Sequence, residues 1–128
     1  MPRWDVLVVE DEPVVRGAVE RILSAEGFRV AVTEDAEAAL THPAADECQV
    51  VLSDLVLPRQ SGLDLLRALG ERRPDLPVVI MTGYASAEAM ARARECGASA
   101  FLPKPFDEAE LLDATKGAMA DVSARRES

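Results

Sequence analysis

Four short segments hold the side chains best suited to chemistry: Glu10-Asp11-Glu12, Ser53-Asp54, Thr82-Gly83 and Pro103-Lys104-Pro105. Each follows an apolar run, so each stands where a strand gives way to a loop. Carboxylates gathered at such ends repel one another and raise one another's pKa. A divalent cation relieves that repulsion. An all-oxygen set with room for water and an arriving phosphate suits Mg²⁺, with Mn²⁺ as its substitute. Lys104 and the Thr82 hydroxyl then complete a cradle for a phosphoryl group, in which Asp54 can serve as a nucleophile and become an acyl phosphate. Phosphoryl transfer asks chiefly for in-line positioning and charge neutralisation, and these groups offer both.

The elements that must position them are legible as runs. Val6-Leu7-Val8-Val9, Val50-Val51-Leu52 and Val78-Val79-Ile80-Met81 are continuously apolar, as strands buried on both faces of a parallel sheet are. Phe28 to Val32 alternates and suits an edge strand, and Ser99-Ala100-Phe101-Leu102 is a weaker fifth run. Between them lie five stretches with helical spacing. The first enters through Pro13, behind a Glu12 cap, and stops at Gly27. Asp35 caps a short second helix that ends before Pro43. Leu63, Leu66 and Leu69 stripe a third, Ser86 to Cys96 an Ala-rich fourth, and Leu111, Leu112, Ala118 and Met119 a fifth. Five strand–helix units predict a single α/β domain, a doubly wound five-stranded parallel sheet of the flavodoxin-like order 2-1-3-4-5. Its functional crevice lies beyond the carboxyl ends of strands 1 and 3, which is where Glu10, Asp11 and Asp54 fall.

The chain has 128 residues and a net charge of −9, with 48% apolar residues. That composition predicts one folded domain over residues 1–122 and a short polar tail over 123–128. The acidic balance argues against direct nucleic-acid contact and against anionic membranes. Cys48, Cys96 and the lone His42 cannot assemble a zinc site; the thiols read as buried and free, His42 as a surface residue, and the chain as cytoplasmic. An acidic loop after strand 1 would repel the phosphate of a flavin or nucleotide, and no phosphate-binding Gly-rich loop is present.

The segments Val-Val-Glu-Asp-Glu-Pro, Ser-Asp-Leu-Val-Leu-Pro, Met-Thr-Gly-Tyr and Phe-Leu-Pro-Lys-Pro-Phe, in this order, closely resemble the receiver domain of bacterial two-component response regulators. The resemblance covers roughly Val6 to Met119. It implies that Asp54 accepts a phosphoryl group from a sensor histidine kinase or a phosphotransfer protein. It implies a Mg²⁺ held by Asp11, Asp54 and the Val56 backbone carbonyl, with Glu10 acting directly or through a bound water. Lys104 would contact the phosphoryl oxygen, Thr82 would swing its hydroxyl toward it, and Phe101 would turn inward. The face built from the fourth helix, fifth strand and fifth helix would change as a result and regulate a downstream protein. The resemblance also implies a cis bond between Lys104 and Pro105.

Glu10 stands where the family more often has Asp and reaches one methylene further. Val56 brings no polar side chain beside the phosphate, and Tyr84, next to Gly83, would overhang the site; apolar flanks of this kind would slow autodephosphorylation in a signalling domain that is not otherwise an enzyme. The alternatives are a phosphorylation-independent interaction domain, a phosphatase of related fold, which the Val at position 56 disfavours, and a receiver belonging to a larger hybrid kinase or transcriptional regulator. A monomer or a weak, phosphorylation-dependent homodimer is expected.

Overall fold

The computed structural model describes the backbone of residues 3–127 and the side chains of residues 3–120. Strands β1 (Val6–Val9), β2 (Val30–Thr33), β3 (Val50–Asp54), β4 (Val78–Thr82) and β5 (Ala100–Pro103) form one parallel sheet in the order β2-β1-β3-β4-β5. The flavodoxin-like order expected from the sequence is therefore the one observed. β1, β3 and β4 are buried at every position, which accounts for their unbroken apolar runs.

Alternate strand residues sort into two cores. Val6, Val8, Val50, Leu52, Val79 and Met81 pack on one face with α1 (Pro13–Ala25) and α6 (Glu108–Glu127), through Val19, Leu23, Leu111 and Ala118. Leu7, Val9, Val51, Val78 and Ile80 pack on the other. That second face is covered by α2 (Ala36–Thr41), α3 (Ala44–Glu47), α4 (Gly62–Arg72) and α5 (Ala87–Glu95). Burial at this scale, at roughly 25 cal/mol per Å² of apolar surface, is the main force holding the sheet rigid beneath its loops.

The helix starts follow their caps. The Glu12 carboxylate accepts from Val14 N and that of Asp35 from Ala38 N, while the Ser86 hydroxyl accepts from Ala89 N. Ser61 and Asp64 form a reciprocal capping box on α4. α2 closes at His42, and Pro43 then stands at the N-cap position of the single turn of α3 without a side-chain capping bond, so the helix expected fourth is α5 and the helix expected fifth is α6. The backbone of α6 runs on through Glu127, across residues read from sequence as a tail; Ser128 lies outside the described residues. Cys48 is buried and Cys96 half-buried, both as free thiols. No helix among the described residues is long and apolar enough to cross a membrane.

Candidate functional site

Register assembles the site. Val9 pairs with Ser53, and Asp54 with Met81, so the residues that leave β1 and close β3 are lateral neighbours at one rim of the sheet. The Glu10 amide extends that rim by donating to Thr33 O at 3.0 Å. Glu10, Asp11 and Asp54 each place a carboxylate oxygen within 4.8 Å of the others. Glu10 is fully buried and Asp54 buried, while Asp11 faces solvent.

Lys104 enters from the end of β5, where its amide donates to Thr82 O at 2.7 Å and its peptide bond to Pro105 is cis. Its ammonium donates to Glu10 Oε1 at 2.5 Å and to Asp54 Oδ2 at 2.7 Å. The other Asp54 oxygen, Oδ1, accepts from Val56 N at 3.1 Å, and Glu10 Oε2 accepts from Glu12 N at 3.2 Å. Both acids are thus fixed in orientation. Burial, reinforced by the Asp54 charge, holds the Glu10 carboxyl above the ordinary glutamate value, although Lys104 and the Glu12 amide pull it down. Burial acts to lower the Lys104 pKa, but its hydrogen bonds to Asp54 and Glu10 outweigh that, and it stays above the usual lysine value. The two directions agree because one ammonium serves two acids, leaving the deeper carboxylate incompletely compensated. Three carboxylate oxygens, one from a solvent-facing residue, form a hard, all-oxygen set that fits Mg²⁺ with part of its water shell.

Thr82 is fully buried at the end of β4, and its hydroxyl oxygen accepts from Tyr84 N at 2.9 Å. Phe101 is half-buried on β5 against the core that includes Ile80. Gly83 is exposed, as are Val56 and Tyr84, at 53% and 73%.

Two contacts were not foreseen from sequence. Gly62, the first residue of α4, donates its amide to Leu55 O at 2.7 Å, and a Cβ there would overlap the Asp54 carbonyl oxygen and stand 3.0 Å from Leu55 Cα. Arg16 on α1 reaches back over the acidic loop: Nη1 donates to Glu10 O at 3.0 Å and lies 3.5 Å from Asp11 O, while Nη2 faces Glu34 at 3.7 Å. Gly62 follows Ser61, the N-cap of α4, but nothing local in the sequence signalled its closeness to Asp54.

Residues 6–116 match the family model described as the response regulator receiver domain. The chain is 38% identical over 114 residues to the C4-dicarboxylate transport transcriptional regulatory protein DctD of Pseudomonas aeruginosa, covering 89% of this chain and 25% of that protein. It is 34% identical over 127 residues to the DNA-binding transcriptional regulator NtrC of Escherichia coli, covering 99% of this chain and 27% of that one. This chain therefore spans about a quarter of the length of the curated relatives it matches. Among solved structures, NtrX from Brucella abortus superposes with a TM-score of 0.90 at 34% identity, covering 98% of this chain and 29% of that one. A CheY-like receiver domain protein from Methanospirillum hungatei JF-1 gives 0.87 at 27% identity, over 95% of this chain and 98% of the other.

Proposed function

The chain belongs to the response regulator receiver domain family of two-component signalling, and we propose that Asp54 is its phosphoacceptor, in a Mg²⁺-dependent transfer from the phosphohistidine of a sensor kinase or phosphotransfer protein. One observation carries this reading: the Lys104 ammonium bridges Asp54 and the buried Glu10, with Asp11 alongside.

An Asp54 carboxylate oxygen attacks phosphorus as the P–N bond to the donor imidazole breaks, and the freed ring nitrogen leaves with the bonding pair. Val56 N and Lys104 hold the carboxylate for that approach, at 3.1 and 2.7 Å. Lys104 is also placed to neutralise charge on the transferred group. Glu10, Asp11, Asp54 and the Val56 carbonyl would hold the Mg²⁺, which when bound offsets the charge of the acids and of the phosphoryl oxygens. Thr82 exchanges its bond from Tyr84 N for one to the phosphoryl group, Phe101 turns inward, and the α5–β5–α6 face changes. That face regulates a downstream protein partner or a weak homodimer, in the cytoplasm and without direct nucleic-acid contact by this acidic domain.

The test is to mix the protein with Mg²⁺ and acetyl phosphate or beryllofluoride and measure intact mass or spectral change for wild type and Asp54→Asn. A Mg²⁺-dependent adduct lost in Asp54→Asn is expected. Its absence from wild type would favour a phosphorylation-independent binding domain, and multiple-turnover phosphate release an enzyme. The flanks Val56 and Tyr84 restrict water at the acyl phosphate, so Tyr84→Ala should shorten the life of the adduct; an unchanged dephosphorylation rate removes that role.

A further inference from the structure

We propose that Arg16 is a positioning residue for the cation site: its guanidinium fixes the main chain that carries Glu10 and Asp11. The inference rests on the reading that these acids, with Asp54, hold Mg²⁺.

The three acids are not equally constrained. Glu10 and Asp54 are held through their carboxylates by Lys104 and by backbone amides. Among the described residues, no hydrogen bond or ion pair holds the exposed Asp11 carboxylate. Where that carboxylate stands depends on its main chain, in the short connection between β1 and α1. Arg16 spans this connection from the helix side, with Nη1 at 3.0 Å from Glu10 O and 3.5 Å from Asp11 O. Its side chain is only 20% exposed, and its second nitrogen faces Glu34, just past β2. One planar fork thus reaches the main chain of the β1–α1 connection and the side chain of Glu34.

Charge alone would give Arg16 the opposite effect. A guanidinium beside three carboxylates competes with a divalent cation, so neutralising it should tighten Mg²⁺ binding. If position dominates, neutralising it loosens binding. The sign decides between the two.

Isothermal titration of MgCl₂ into the full chain is the measurement. Arg16→Met, which keeps the aliphatic stem, should bind Mg²⁺ about tenfold more weakly, as loss of a group that orients metal ligands does. Arg16→Lys should recover part of the loss, since an ammonium can serve one carbonyl but not the fork. Glu34→Gln should change little, because Glu34 is 73% exposed. Thermal unfolding without Mg²⁺ checks that each variant folds, and Arg16→Gln stands in if Arg16→Met does not. Equal or tighter binding by the uncharged variant overturns the proposal while leaving the cation site intact. A wild type that binds no Mg²⁺ overturns both.

Discussion

Lys104 lies 94 positions from Glu10 in sequence, yet its removal would isolate two acids, one of them without solvent contact. Breaking a fully buried ion pair costs about 3–5 kcal/mol. Lys104 keeps 20% of its side chain exposed, and Glu10 can take up a proton, so Lys104→Met should cost about 1–3 kcal/mol in urea unfolding without Mg²⁺. Adding Mg²⁺ should recover part of that loss. Gly62→Ala meets a main-chain carbonyl rather than a flexible side chain. Overpacking of this kind costs about 1–3 kcal/mol, and the displaced Asp54 backbone should slow adduct formation under Mg²⁺ and acetyl phosphate. The acids and Lys104 were legible in the sequence because each ends an apolar run, and the parallel order then brings the run ends together. Gly62 and Arg16 were not, because the surroundings that explain them arise only when α4 and α1 dock against the sheet.

At the opposite ends of the strands, Asp5 ties three of them together. Its carboxylate accepts from the Arg29 amide at 2.8 Å and from the Arg29 guanidinium at 3.1 and 2.9 Å. Gln49 Nε2, just ahead of β3, stands at 3.4 Å. The hydrogen bonds and charge of Arg29 outweigh burial and hold the Asp5 carboxyl below its ordinary 3.8. A depressed carboxyl contributes stability that is complete above the unfolded value and lost as pH falls through the folded one. Asp5→Asn should therefore cost about 1.5–3 kcal/mol at neutral pH, and the gap from wild type should close below pH 3.8 in denaturant titrations. The same bonds explain why β2 starts at Val30 and not at Phe28: Arg29 is drawn to Asp5, and the Phe28 amide closes the turn after α1 on Leu23 O. Caps such as Glu12 and Asp35 could be read because they act over two or three residues. α3 could not, since its Pro43 is equally a stop signal and a helix-entry residue.

Over the whole molecule, 23 acids oppose 14 bases, but the structure brings only Glu10, Asp11 and Asp54 within one cation's reach among the described residues. Binding there should act on global stability: Mg²⁺ at one hundred times its Kd adds about 2.7 kcal/mol by mass action. Asp11→Asn should abolish most of that gain in differential scanning calorimetry while leaving the metal-free transition little changed, because Asp11 is exposed. The two-layered core supports a unit that occurs both as nearly all of one solved chain and as about a quarter of longer regulators. The lone tryptophan gives that unit its own optical gauge. Trp4 precedes β1, edge-on to His42 with ring centroids 5.4 Å apart, while Glu10 and Asp11 follow β1, a strand of four residues that spans roughly 13 Å. Its emission should therefore stay dark to events at the acids and brighten or shift only when the amino ends of the strands come apart, so a fluorescence melt reads the scaffold without a contribution from the signal it carries.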